Sequence, residues 1–211
     1  MSKSPSPIRG VCVFCGARDG AAPIYAEAAA ALGAALAREG IELVYGGGSA
    51  GLMGRVARAA GAGGGRVVGV IPKFLLPSEG TLAAIDELIV VDTMHERKRI
   101  MFERADAFIA LPGGVGTLDE LAEQIVWGQL GRHSKPIILA DVNGFWRPLL
   151  TLLDNMRDQG FLHDLQPGVM QVAGSVEEAV ALATRGETVE GGRVARSNAE
   201  THPRDALRSR R

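Results

Sequence analysis

Cysteine, net charge and long apolar stretches are all scarce in this chain, and each shortage removes a class of function. A formal net charge of −1 and a pI near 6.4 leave no whole-molecule field to draw the protein onto nucleic acid or an anionic membrane. Any phosphate it binds must be captured locally. No apolar run approaches the roughly 20 residues that span a bilayer. Met1 to Gly10 holds two basic residues and two prolines but no apolar signal core. A cytoplasmic protein is expected, with neither nucleic acid nor membrane as a partner. No His, Cys, Asp or Glu cluster shows ligand spacing, so neither a metal nor a cofactor is expected.

The only two cysteines, Cys12 and Cys15, have the C-x-x-C spacing of a redox pair or half a metal site. Both sit in Val11-Cys12-Val13-Phe14-Cys15, which reads as a buried strand, and residues three apart on a strand face opposite ways. Two packed thiols are the expectation.

What is present suits one α/β domain: 211 residues, 46% apolar and 22% charged, enough for one sizeable core. Short runs of branched apolar residues alternate with longer Ala- and Leu-rich segments, the pattern of βα units in a parallel sheet. Strands are expected at Gly10 to Cys15, Ile41 to Tyr45, Arg66 to Val70, Leu88 to Val91, Ala107 to Leu111, Pro136 to Ala140 and Val169 to Val172. Helices are expected at Pro23 to Arg38, Leu52 to Ala60, His95 to Arg104, Leu118 to Leu130, Phe145 to Asp158 and Val176 to Ala183. Continuous apolar strands imply burial on both faces, hence helices on both faces of the sheet. The expected organisation is a flexible N-terminus over residues 1–8, one domain over 9–185, and a disordered polar tail over 186–211.

Two glycine-rich turns follow strands. The first runs Gly46-Gly47-Gly48-Ser49-Ala50-Gly51-Leu52-Met53-Gly54, where bare backbone N–H groups and a helix N-terminus can hold an anion. Gly46, Gly48 and Gly51 match the dinucleotide pattern G-x-G-x-x-G, but no acid follows at the end of the next strand, Val67-Val68-Gly69-Val70. No G-K-[ST] ending supports an NTP loop either. The second turn is Pro112-Gly113-Gly114-Val115-Gly116-Thr117-Leu118-Asp119-Glu120. In a parallel sheet both turns lie at the carboxyl edge, so they point to one pocket holding phosphate or ribose. Thr117 and Glu120 have the T-x-x-E spacing of a capping box, so Glu120 reads either as a helix cap or as an oriented carboxylate in the pocket. Between the turns, Met94-His95-Glu96-Arg97-Lys98-Arg99 starts a helix at the same edge. It reads either as an exposed basic face, with Arg99 and Glu103 as an i,i+4 pair, or as a guanidinium gripping phosphate or polarising a leaving base.

Together these residues resemble the Lonely Guy family of cytokinin-activating phosphoribohydrolases, which has also carried a lysine decarboxylase label. The family pattern P-G-G-x-G-T-x-x-E is matched by Pro112 to Glu120, and M-H-x-R-K by Met94 to Lys98. The likeness runs from about Val11 to Leu162, through Val44 to Gly54, Val70 to Pro72, Trp127, Gln129 to Gly131, His133, Lys135 and Pro136. It implies a Rossmann-like fold, with a mostly parallel sheet of about seven strands. It also implies hydrolysis of an adenosine 5′-monophosphate, N6-modified or plain, to free base and ribose 5-phosphate. Catalysis would fall on Arg97 and Glu120. Substrate binding would fall on Glu79, Arg97, Lys98 and the run Gly114, Val115, Gly116, Thr117, Leu118, Asp119, Glu120, to which the two glycine turns and the start of the basic helix add Gly46 to Gly48, Gly113 and Met94 as candidates. A homodimer is implied, with the helix Leu118 to Leu130 near its interface. Where the family often reads C-G-S-S, this chain has Cys15-Gly16-Ala17-Arg18, so two hydroxyls are absent and Arg18 is a charged substitute. A decarboxylase would need a Schiff-base lysine in a pyridoxal phosphate site, of which the sequence gives no sign. The rival reading is a nucleotide or cofactor carrier, since molybdenum-cofactor carrier proteins share the fold. Trp127 and Trp146 are expected to pack in the core or between subunits, and His133 and His163 to serve surface or capping roles.

Overall fold

The computed structural model describes residues 8–80, 85–162 and 169–185. Seven strands lie in them: β1 (Gly10–Phe14), β2 (Glu42–Tyr45), β3 (Val67–Pro72), β4 (Glu87–Val91), β5 (Ala107–Ala110), β6 (Ile137–Ala140) and β7 (Met170–Ala173). The helices are α1 (Pro23–Arg38), α2 (Gly51–Ala62), α3 (Leu76–Glu79), α4 (Met94–Arg104), α5 (Val115–Gln129), α6 (Arg147–Asp158) and α7 (Val176–Thr184). The strands form one sheet in the order β4-β3-β2-β1-β5-β6-β7. Every pairing between them is parallel, as expected of βα units. The tail 186–211, His163 and residues 1–7 of the N-terminal stretch lie outside the described residues.

Most boundaries shift from expectation by one or two residues, and three differences have a clear local reason. β3 continues to Pro72 because Ile71 and Pro72 still pair with Val90 and Val91. The short helix α3 was not expected, and Pro77 in its first turn presets the helical φ. The helix expected from Leu118 starts at Val115 instead, with Gly114 as its N-cap.

The core forms two layers. Val11, Val13 and Cys15 face α1, α2 and α7, where Leu32, Val56 and Ala179 are fully buried. Cys12 and Phe14 face the other side, against Met101 of α4, Leu121 of α5 and Trp146. The two thiols are therefore free, buried and on opposite faces of β1. Burial, with the charge of Glu120 adding to it, pushes both well above the ordinary thiol range, so neither supplies a thiolate. The tryptophans also pack: Trp146 is buried and its indole N–H donates to the Ala110 carbonyl at 3.0 Å. Trp127 stands edge-on to Phe102, with ring centroids 5.0 Å apart.

From β1 the chain steps outward through β2 and β3 to β4, then returns to β5 beside β1 and leaves toward β7. Adjacent loops after β1 and β5 therefore diverge, and a crevice opens above the carboxyl ends of these strands.

His133 fastens the connection between α5 and β6. The Lys135 backbone N–H donates to Nδ1 at 3.1 Å, so the proton sits on Nε2, 3.1 Å from the Gln124 carbonyl oxygen. Burial, assisted by the neighbouring Lys135 charge, holds this imidazole below the usual histidine pKa. Above an unfolded-state pKa of roughly 6.5 both states are neutral and the contribution is fully present. As pH falls through that value the unfolded chain takes up a proton that the native imidazole resists, and stability drops. The urea midpoint should fall between pH 7 and 5, and fall less in His133→Gln, whose amide can keep both bonds without titrating. Equal falls in the two proteins would remove His133 from the acid response.

Candidate functional site

A cavity of about 490 Å³ lies over the β1/β5 crevice, within the roughly 300–1,000 Å³ of small-molecule sites. The loop after β1, Cys15 to Gly20, forms one wall, and Pro112 to Thr117 after β5 forms the other. Gly16 N–H donates to the Pro112 carbonyl at 3.1 Å, which ties the walls together at their base. Arg97 enters from α4 and Glu120 from α5, Leu52 and Met53 come from α2, and Tyr25 and Phe145 close one side.

Arg97 and Glu120 form the charged floor. Their facing atoms, Nη1 and Oε1, are 3.1 Å apart, and each side chain is 8% exposed. Glu120 is buried because it belongs to the inward stripe of α5, with Thr117, Leu121, Gln124, Ile125 and Gly128. Arg97 and Met101 are the buried residues of α4. That helix is started by Thr93, whose hydroxyl accepts the Glu96 N–H, while the Glu96 carboxylate accepts from Asp92 N–H at 3.2 Å. Two carbonyls complete the arginine's shell: Nε donates to Val70 O at 3.1 Å and Nη2 to Gly46 O at 3.4 Å. The capping-box reading of Thr117 and Glu120 is corrected here. Gly114 is the N-cap and makes no side-chain cap bond, which puts Thr117 and Glu120 inside the helix.

The two glycine turns do different work. A Cβ on Gly46 would run into the Arg97 guanidinium and lie 2.9 Å from Met53 Sδ, and one on Gly47 would lie 2.9 Å from Ile71 Cβ. Those glycines make room for neighbours, and Gly46, Gly47 and Gly48 do not line the cavity. In the second turn a Cβ on Gly113 would collide with Thr117, but Gly114 and Gly116 have nothing within 4 Å of that position. Bare backbone faces open space there, at the start of a helix with no acidic residue in its first turn.

Of the residues singled out from sequence, the structure gathers Arg97, Gly113, Gly114, Val115, Gly116, Thr117 and Glu120 around the cavity. Lys98 turns away and pairs with Asp119 at 3.2 Å and Glu123 at 2.9 Å, clasping α4 to α5. Asp119 and Leu118 are thus on the outer side of α5, so Glu120, not Asp119, faces the cavity. Met94 begins α4, its thioether 4.0 Å from Arg97 Nη1. Glu79 ends α3, and its side chain lies outside the described residues. Arg99 does pair with Glu103, at 2.9 Å on the exposed face. Sequence reasoning missed Tyr25, Phe145, Leu52 and Met53. Tyr25, in the first turn of α1, and Phe145, shortly after β6, meet edge-on, 6.0 Å between centroids; their place beyond the carboxyl ends of β1 and β6 is the one signal that could have marked them.

Alanine at the glycines separates packing from access. Gly46→Ala should cost about 1–3 kcal/mol by crowding the Arg97 guanidinium. Gly116→Ala, in open space on a helix, should stabilise by roughly 0.5–1 kcal/mol. Urea midpoints check both, and a destabilised Gly116→Ala would show that this backbone is not bare.

Comparison with known proteins places this geometry. The family model described as "Possible lysine decarboxylase" matches residues 53–183, more than half the chain. The cytokinin riboside 5′-monophosphate phosphoribohydrolase LOG7 of Arabidopsis thaliana is 48% identical over 180 residues, 85% of this chain and 83% of that protein. The rice enzyme LOG, from Oryza sativa subsp. japonica, is 52% identical over 157 residues, 74% of this chain and 65% of that protein. Among solved structures, a molybdenum cofactor binding protein from Rippkaea orientalis is 26% identical, with a TM-score of 0.59, covering 86% of this chain and 96% of that one. The molybdenum cofactor carrier protein of Chlamydomonas reinhardtii, at 23% identity and a TM-score of 0.61 over 82% of this chain and 94% of its own, shares the fold. This chain therefore belongs to the Lonely Guy family, the family whose model carries the lysine decarboxylase description.

Proposed function

We propose that the protein hydrolyses the N-glycosidic bond of adenosine 5′-monophosphates, N6-modified or plain, giving free base and ribose 5-phosphate. The observation that carries this reading is a buried Arg97–Glu120 pair presented to a cavity beside bare glycine backbone, in a chain whose relatives at 48% and 52% identity are named phosphoribohydrolases. As the bond breaks, the ribose becomes oxocarbenium-like and the base leaves with the bonding electrons. Glu120 opposes the growing positive charge, aligns the attacking water and takes its proton as the water oxygen bonds to the anomeric carbon; that proton then passes to the departed base, which leaves neutral. Arg97, fixed by two carbonyls, stabilises negative charge on the leaving base without surrendering a proton. The open N–H groups around Gly114 and Gly116 receive the phosphate.

A carrier would bind the same ligand and release nothing. The carboxylate aimed into the cavity argues against it, and the carrier structures lie at 23–26% identity, where fold alone is shared. We also place the protein in the cytoplasm as a homodimer. Among the described residues no helix is long and apolar enough to cross a membrane. The outer side of α5 and its C-cap expose Leu118, Val126 and Leu130, an apolar stripe fit for a second copy. Sedimentation velocity should give twice the chain mass and, for Val126→Glu with Leu130→Glu, the chain mass alone. A monomeric wild type would refute the dimer.

Purified protein incubated with AMP, isopentenyl-AMP, GMP and CMP should release base from the adenylates, read by mass spectrometry. Glu120→Gln and Arg97→Ala should each lower that rate by about 10²-fold or more. Arg97→Ala should also lose about 3–5 kcal/mol of stability, because Glu120 is left buried without its guanidinium. Tight nucleotide binding with no base release would favour the carrier.

A further inference from the structure

Among the described residues the charges around the cavity cancel pairwise, with one exception. Arg97 is matched by Glu120 at 3.1 Å. Asp19, on the cavity wall, is matched by Arg55 at 3.1 Å, through both carboxylate oxygens. Lys98, behind the wall, is held by two carboxylates. Arg18 also lines the cavity. Its side chain is exposed, and among the described residues no hydrogen bond or ion pair engages it. The backbone that carries it is nonetheless fixed. Gly51, at φ +55°, packs against the Ala17 carbonyl carbon and the Arg18 nitrogen so closely that a Cβ would collide with both. On the other side, a Cβ on Gly16 would sit 3.4 Å from Gly113 Cα, so Arg18 starts two residues from contact with the second glycine turn.

A phosphate monoester carries about −1.5 to −2 charges at neutral pH. The N-terminus of α5 offers roughly +0.5, and the Arg97–Glu120 pair adds no net charge. The deficit is about one positive charge, and Arg18 is the group on the wall that can provide it. We propose that Arg18 is the phosphate-recognition residue of this cavity: its guanidinium clamps the 5′-phosphate against the bare backbone of Gly114 to Gly116, and so selects nucleoside monophosphates over nucleosides. The planar fork suits two phosphate oxygens, which a lysine cannot match. The inference rests on the reading of this cavity as a nucleotide site.

The test is calorimetric binding, with ribose 5-phosphate, a product that does not turn over, as the primary ligand. Wild type, Arg18→Met and Arg18→Lys are titrated with ribose 5-phosphate, AMP and adenosine, after urea midpoints establish that all three are folded. Arg18→Met should weaken ribose 5-phosphate and AMP by roughly 10- to 100-fold, the factor for losing charge-assisted hydrogen bonds. Arg18→Lys should recover part of that loss, and adenosine should bind all three proteins alike. Unchanged affinity of Arg18→Met for both phosphates, an equal loss for adenosine, or a wild type that binds neither phosphate would overturn the proposal. A wild type that binds AMP through Arg18 but releases no base would instead sink the hydrolase and leave Arg18 in its role.

Discussion

A guanidinium and a carboxylate, 3.1 Å apart and each 8% exposed, set the terms for the rest of this structure. Taking two charges out of water costs several kcal/mol each, and their attraction offsets this only when the remaining donors and acceptors are also met. The fold meets that demand for Arg97 with carbonyls at the carboxyl ends of two strands: Val70 in β3 and Gly46 just past β2. Gly46 must lack a side chain because the guanidinium occupies its space. Helix α4 must begin where Thr93 caps it, so that Arg97 faces inward. One pair thereby fixes the relative placement of two strands and two helices. The Lys98 clasp to Asp119 and Glu123 repeats the α4–α5 tie on the outer side.

Topology supplies the opening that the pair faces. Sequential strands step away from β1 in one direction and from β5 in the other, so no crossover covers the space between their ends. Loops of very different composition converge there. The β5 loop brings bare backbone and the β1 loop brings a cation, a division that follows from which loop must pack against α2 at Gly51 and which starts a helix into open space.

Much of this was legible in the residues. The strands of the interior are continuous apolar runs, and α1 was found to the residue because Pro23 opens it and the alanine-rich stretch ends at Arg38. Position in the chain alone could not show that Lys98 turns outward while Arg97 turns inward. That depends on where α4 crosses the sheet, not on local pattern. The T-x-x-E spacing misled for a related reason: a capping box and an inward i,i+3 stripe look identical in sequence, and only the start of α5 at Val115 separates them. Tyr25 and Phe145 were invisible because they come from the first turn of α1 and the connection after β6, brought together by strand order rather than by any motif.

Fold likeness alone joins this chain to carriers as well as to hydrolases, so the distinction has to be sought in what the site costs. Replacing a buried ion pair by packed apolar residues is often neutral or stabilising by about 1–4 kcal/mol. Stability by itself therefore gives no reason to keep Arg97 and Glu120. A protein that only holds an anion would be better served without a carboxylate at the floor of its cavity, since that charge must first be cancelled before the ligand can approach. The arrangement makes sense when a positive centre forms transiently near Glu120 while a negative one departs near Arg97. A glycosidic bond breaking between a ribose and a purine presents both charges at once, a few ångströms apart, and a preoriented pair of opposite sign can stabilise both without reorganising. The same pairing leaves the cavity with no excess charge from its reactive groups, which frees the phosphate to be recognised elsewhere on the wall.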